Sequence, residues 1–324
     1  MSDMRNEPRL ASVTCANPAG MHRMAYWEWG DPDNPRVLMC VHGLTRTGRD
    51  FDRLARCLVD QYRIICPDVV GRGQSDWLTN PAFYSVPQYV ADMVTLVAHL
   101  APKTLHWVGT SMGGLIGLAL GGTAALAQSH RYPTAGEHLL RADEGLRLDK
   151  LVLNDVGPHL NPPALDRIGQ YVGQPAEFSS FAAAREQVRE NCAPFGPHTD
   201  EQWDELARHV YVKSGNVWVK HYDTRLAGAF GQHNAMALMA GEQLLWQAFD
   251  ALDCPVMVLR GEHSDLFTDA SAQEMVRRKP GTKLQVFEGV GHAPTLMHDA
   301  QIDPVLRFLL EDSPPFGEQP TIAL

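Results

Sequence analysis

The stretch Thr104-Leu105-His106-Trp107-Val108-Gly109-Thr110-Ser111-Met112-Gly113-Gly114 decides the fold. It joins a short apolar run to a helical pattern of small and apolar residues from Met112 to Ala127. Gly109-Thr110-Ser111-Met112-Gly113 has the form G-x-S-x-G. Between a buried strand and an apolar helix, such a serine occupies a tight turn with strained backbone angles, and its hydroxyl projects from the top of the sheet. A glycine two residues to either side leaves room for strand and helix to approach closely. The helix N-terminus just beyond favours negative charge on a reacting group. The bland alternative is a glycine-containing turn with a capping serine, and the strand before and helix after argue against it.

Further runs of the same kind lie on both sides. Arg36 to His42, Tyr62 to Asp68, Lys150 to Asp155, Pro255 to Arg260 and Lys283 to Phe287 are short and nearly unbroken in apolar character. Strands buried on both faces read this way. Ala11 to Ala16 and His22 to Trp29 alternate instead, as an antiparallel edge pair would. Helical patterns separate the strands. One runs from Pro87 to Leu100, with Ser85 as its cap and Gln88 three residues on. Another closes the chain from Pro294 to Leu310. Strands alternating with helices predict a mostly parallel eight-stranded sheet with helices on both faces.

Three segments depart from this rhythm. Gln128 to Leu148 is polar and reads as a surface loop or extra helix. Between 157 and 250 no strand-like buried run occurs, while Phe181 to Asn191, Glu201 to Val210 and Gly241 to Phe249 look helical. The expectation is an α/β core made of residues 1–156 and 251–324, with a helical cap inserted at 157–250. The tail from Ser313 to Leu324 is Pro-rich and expected to be poorly ordered.

With 324 residues, 44 % hydrophobic and 20 % charged, the chain can bury a sizeable core. Its formal net charge of −10 opposes nucleic acid and anionic membrane surfaces as partners. The six cysteines sit singly, which argues against a disulfide framework or a zinc site and suits a reducing, cytoplasmic setting. The first ten residues carry four charges and no apolar core, so no signal peptide is expected. No apolar run is long enough for a transmembrane helix.

The chemistry-bearing residues follow strand ends. After the first strong strand comes His42-Gly43-Leu44-Thr45-Arg46, where the glycine lets the loop fold back. The N–H groups of Leu44 and Met112 are then candidates for an oxyanion hole. His42 reads as a structural brace. After the last strand comes Gly289-Val290-Gly291-His292-Ala293-Pro294, which makes His292 the candidate general base. The carboxylate that orients it is sought in Gly261-Glu262-His263-Ser264-Asp265. Asp265 is the choice, with Glu262 and Asp155 as competitors.

These pieces, together with Asp68-Val69-Val70-Gly71-Arg72-Gly73-Gln74-Ser75 and Asp155-Val156-Gly157-Pro158, run in order across nearly the whole chain outside the cap. In this arrangement the sequence resembles the α/β-hydrolase superfamily, and within it the cap-bearing, esterase-like serine hydrolases. The resemblance implies a Ser111, Asp265, His292 triad and cleavage of carboxylic esters of small to medium, largely apolar acyl groups through an acyl-enzyme. No cofactor or metal is implied, and the partner is a small-molecule substrate. The resemblance also implies that Asp68 to Ser75 is a structural turn. Haloalkane dehalogenases and epoxide hydrolases of this fold use Asp at the elbow, which Ser111 opposes. A C–C bond hydrolase, a lactonase or a thioesterase is the alternative within the fold. The C–C hydrolases have a glycine-richer loop than Leu44-Thr45-Arg46-Thr47. A non-catalytic receptor would often lack a triad member, and none is lacking here. Arg46, Trp77, Phe181, Trp218, Phe230 and Met239 are candidate pocket residues, as are Phe178, Tyr211, Met236 and Trp246 in the cap.

Overall fold

The computed structural model describes residues 7–129, 145–229 and 235–311. The chain opens with β1 (Arg9–Asn17) and β2 (Gly20–Trp29), an antiparallel hairpin paired from Arg9 with Glu28 to Asn17 with Gly20. Next come β3 (Arg36–Val41), α1 (Asp52–Arg56), β4 (Arg63–Pro67), α2 (Val86–Leu100), β5 (Thr104–Thr110), α3 (Met112–Ser129) and β6 (Lys150–Asn154). A long insertion contains α4 (Pro162–Val172), β7 (Glu177–Phe178), α5 (Phe181–Asn191), α6 (Asp200–Arg208), β8 (Tyr211–Ser214), β9 (Val217–Lys220) and α7 (Ala235–Ala251). The core resumes with β10 (Val256–Gly261), α8 (Asp269–Arg278), β11 (Lys283–Phe287) and α9 (Asp299–Leu310).

The main sheet has eight strands in the order β1-β2-β4-β3-β5-β6-β10-β11. The β1–β2 and β2–β4 pairs are antiparallel, and the other neighbours run parallel. The alternation of side chains explains the two apolar layers. Met39 and Val41 of β3 and Trp107 of β5 join the α2 and α3 side, with Met93, Leu96 and Ile116. Leu38, Cys40 and Val108 point the other way, toward Leu54, Val305 and Phe308 of the α1 and α9 side. The register does the rest. Val41 pairs with Gly109, Thr110 with Asn154, Asn154 with Leu259, and Gly261 with Phe287. The loops after β3, β5, β6 and β11 therefore emerge side by side at the carboxyl edge of the sheet, where open α/β sheets bind ligands.

The structure corrects several expectations in detail. The segment read as wholly helical includes a three-stranded antiparallel sheet, ordered β7-β9-β8. These strands are only 2, 4 and 4 residues long and β9 is half-buried, so they carry no apolar run to read. Ser85 sits at the start of α2 in extended conformation, but its side chain caps nothing. Gln88 instead donates to the Ala16 carbonyl and the Asp92 carboxylate, stitching α2 to β1. The last helix begins at Asp299 rather than Pro294, because 294–298 forms a loop. Helices α1, α4 and α8 add to the expected helices; α4 buries Ala164, Ile168 and Val172 on one face. Residues 130–144 and 312–324 lie outside the described residues, and with them most of the polar segment and the tail. Among the described residues no helix is long and apolar enough to cross a membrane.

Candidate active site

Ser111 is placed by the turn between β5 and α3. Its φ of 51° is in the left-handed region, unusual for a residue with a side chain. Its N–H donates 2.9 Å to the carbonyl of Asn154, so the end of β6 holds the strained turn. A Cβ on Gly113 would lie 1.9 Å from the Val41 carbonyl oxygen, and one on Gly109 would lie 2.3 Å from that of Gly113. The two glycines are therefore required by contact, as the G-x-S-x-G reading demands.

The Ser111 hydroxyl lies 2.9 Å from His292 Nε2. Across the ring, Nδ1 lies 2.7 Å from Oδ2 of Asp155. The carboxylate facing the histidine is thus Asp155 and not Asp265. Asp155 follows β6, is fully buried, has a φ of 57°, and accepts a second bond from the Gly261 N–H at 3.0 Å. Asp265 is half-exposed and holds the guanidinium of Arg167 with two bonds of 2.9 Å. The physical reason lies in the loop after β10. His263 N–H is held by Val290 and Ser264 N–H by Gly261, so the chain turns and carries Asp265 outward, toward α4. Glu262 caps the turn before the histidine by accepting from Gly289 N–H.

The loop after β3 passes close to the serine. His42 is buried, donates from Nδ1 to the Gly43 carbonyl and accepts from Val69 N–H at Nε2. Burial pushes its pKa down to about 3, so it is a neutral brace. Among the described residues neither Leu44 N–H nor Met112 N–H has an acceptor, which leaves both donors for a ligand. The Asp68 to Ser75 stretch forms a closed turn. Asp68 accepts from the backbones of Gly48 and Gln74 and from Trp27 Nε1.

That turn also delivers a residue the sequence reading did not single out. Arg72 is fully buried and donates 2.8 Å from Nε to the Leu44 carbonyl. Its Nη1 reaches the Val70 carbonyl and the Tyr89 hydroxyl, and its Nη2 lies 3.3 Å from Met112 Sδ. One guanidinium thus touches both residues of the candidate oxyanion hole. Asn154 is a second unanticipated residue. Its Nδ2 bridges Thr110 Oγ1 and the Pro294 carbonyl, tying the serine turn to the histidine loop. Both positions looked like ordinary loop or strand-end residues, and the fold alone shows what they span.

Ser111 and His292 open onto a cavity of about 510 Å³. Leu115, Val156 and Leu266 line it from the core side, and Leu160, Leu165, Ile168, Tyr171, Tyr211 and Tyr222 from the insertion. Among the pocket candidates in the described residues, Arg46 and Tyr211 belong to the lining. Arg46 is not solvated but buried, and it grips Asp50 with two bonds of 2.7 Å. The others do not line it. Trp77 is 52 % and Met239 70 % exposed, and Met236 also faces outward. Phe181 packs on Trp218 at 5.1 Å and Phe178 on Tyr211 at 5.3 Å, in the small core of the insertion itself. Trp246 lies under the guanidinium of Arg278. Phe230 lies outside the described residues. Phe178, Phe181 and Trp218 thus serve the packing of the insertion itself, whereas Trp246 packs against the main core.

Among the described residues one group brings metal-ligating atoms within 4.8 Å of one another: Cys15, His22 and Asp92, all buried between β1, β2 and α2. Its atoms already serve each other. His22 Nε2 is 3.0 Å from Asp92, Gln88 donates to the same carboxylate, and burial pushes the Cys15 thiol up to about 12. This cluster reads as an internal polar knot.

A family model described as the alpha/beta hydrolase family matches residues 38–305. A 3-hydroxybutyrate-oligomer hydrolase of Cupriavidus necator is 48 % identical over 303 residues, covering 92 % of this chain and 97 % of that protein. An esterase of Mycobacterium tuberculosis is 28 % identical over 277 residues, covering 82 % of this chain and 78 % of that protein. Among solved structures, an alpha/beta hydrolase from Novosphingobium aromaticivorans superposes with a TM-score of 0.76 at 33 % identity, covering 94 % of this chain and 98 % of that one.

Proposed function

The chain belongs to the alpha/beta hydrolase family and acts on ester bonds, and on that premise we propose that it hydrolyses short linear oligoesters of hydroxy acids through an acyl-enzyme on Ser111. The observation that supports this reading most is the relay from Ser111 Oγ through His292 to Asp155, with steps of 2.9 and 2.7 Å, opening on an apolar cavity. The oligomer substrate rests on the 48 % identical relative and its name.

In this mechanism Ser111 Oγ attacks the ester carbonyl carbon while its proton passes to His292 Nε2. Asp155 accepts the Nδ1–H, fixes the tautomer and faces the imidazolium as it forms. The carbonyl oxygen, now an anion, meets the free N–H groups of Leu44 and Met112. His292 returns the proton to the departing alkoxide oxygen, the alcohol half leaves, and the acyl group stays on Ser111. Water then gives its proton to His292 and attacks the acyl carbon, and Ser111 recovers its proton as the acid leaves. One water is consumed per bond cut.

We further read residues 157–250 as a cap that roofs the cavity, since α4, β8 and β9 contribute much of its wall. The six cysteines are unpaired, which supports a reducing, cytoplasmic setting.

The test is hydrolysis of a p-nitrophenyl ester series and of 3-hydroxybutyrate oligomers by the wild type and Ser111→Ala. Turnover that falls to background in the alanine variant supports the reading. A folded wild type that cuts no ester in either set defeats it.

A further inference from the structure

Three cationic side chains reach the wall of the cavity that holds Ser111 and His292. Two are neutralised locally: Arg46 by Asp50 and Arg167 by Asp265, each through two hydrogen bonds. Lys220 is different. It ends β9, is half-buried, and its ammonium donates one bond of 3.0 Å to the Tyr171 carbonyl. Its Nζ also stands 5.1 Å from the centre of the Tyr222 ring. Among the described residues no carboxylate pairs with it. An ammonium carries three N–H donors, and one of them is used here. A half-buried cation facing a largely apolar wall with no internal anion is open to a ligand that brings the charge.

We propose that Lys220 is the seat for the free carboxylate at the acid end of the substrate, an inference that rests on the oligoester reading of this same cavity. A linear oligomer of a hydroxy acid has one carboxylate, at one end. Every other group along it is an ester, a hydroxyl or a short alkyl chain. A single unneutralised cation in a largely apolar wall therefore reads the chain's polarity. It also sets register, because the carboxylate held at Lys220 fixes which ester carbonyl stands before Ser111. Tyr171, Tyr222 and Tyr211 line the same cavity and offer apolar ring surface to the alkyl portions. Burial pushes the Lys220 ammonium down to about 8, so it still carries its charge at neutral pH.

The experiment compares the free-acid dimer of 3-hydroxybutyrate with its methyl ester, alongside p-nitrophenyl butyrate as a neutral reporter of the chemistry. The readout is the ratio of kcat/KM for initial cleavage of the internal ester bond in the free acid to that in the methyl ester, taken within each protein so that any loss of folded enzyme cancels. In the wild type the ratio exceeds one, mainly through KM. In Lys220→Met it falls by about tenfold, the range of a lost hydrogen bond to a charged group, and Lys220→Arg restores most of it. A wild-type ratio near one, with p-nitrophenyl butyrate still cleaved, overturns the carboxylate seat and leaves the esterase reading standing. An unchanged ratio in Lys220→Met overturns the seat in the same way. A folded wild type inert toward p-nitrophenyl butyrate and toward both dimers overturns the reading beneath it.

Discussion

Asp155 Oδ2 lies 2.7 Å from His292 Nδ1, although 137 positions separate them in the chain. Asp265, one strand further along the sheet, spends its charge on Arg167 at the surface. The two carboxylates therefore separate cleanly by substitution. Asp155→Asn leaves shape nearly unchanged but offers the histidine an amide, and kcat drops on the order of 10⁴-fold. Asp265→Asn breaks a half-exposed ion pair and changes kcat/KM by less than about fivefold. Steady-state hydrolysis of p-nitrophenyl butyrate by both variants checks the pair, and equal losses would contradict the assignment of Asp155.

Arg72 touches the Leu44 carbonyl and the Met112 sulfur at once. On the proposed mechanism it is a positioning residue for the Leu44 and Met112 N–H groups. Arg72→Met removes that bracket and leaves buried carbonyls without donors. The expected result is a fall in kcat on the order of 10- to 100-fold with a smaller change in KM. A purely structural role would lower the unfolding temperature while leaving the kcat of the remaining folded enzyme intact.

Gly113→Ala tests the close approach at the elbow. The added Cβ would fall 1.9 Å from the Val41 carbonyl oxygen, a contact that backbone on backbone cannot relieve. Destabilisation of about 3 kcal/mol or more is expected. Urea unfolding at neutral pH measures it, and wild-type stability would mean that the strand and helix are looser than described.

Stability should fall in acid for a reason fixed in the core. Burial pushes both His42 and His106 down to about 3. Unfolded, they take up protons near pH 6.5; folded, they resist until about pH 3. The unfolded state thus binds more protons between those limits, so stability is full above about pH 6.5 and declines as pH falls through that window. Burial also pushes His209 down to about 4 and lowers His198, and His106→Asn removes one of these contributions. Its unfolding free energy should depend on pH less steeply between pH 6 and 4 than that of the wild type, by up to about one proton.

Much of the sheet was legible because β3, β4, β5, β6 and β10 are buried on both faces and read as nearly unbroken apolar runs, whereas β11 at the edge is mostly unburied. Ser111 and His292 were legible for a related reason: glycines that only a tight turn requires surround each of them. The carboxylate that faces His292 was not. Asp155 and Asp265 each follow a parallel strand at the same edge of the sheet, and local sequence carries no record of which way a loop turns. That direction depends on Val290 and Gly261 holding the 261–265 turn, which is a tertiary matter. The pocket was illegible for a different reason. Aromatic residues in the insertion serve its private core as readily as a ligand, and Phe181 and Trp218 took the first role. Lys220 gave no signal, since an isolated lysine in a sequence is ordinarily a solvated one.

The adjacent pair Asn154-Asp155 ends one central strand and serves both halves of the relay. The Asn154 carbonyl holds the serine turn, its amide reaches Thr110 and Pro294, and the next carboxylate holds the histidine. The Ser111 turn and the His292 ring are therefore both referenced to the end of one strand. Their separation is not the sum of two independent loop positions, each with its own wander. A displacement of that strand end would carry both partners together and cancel in the distance between hydroxyl and imidazole.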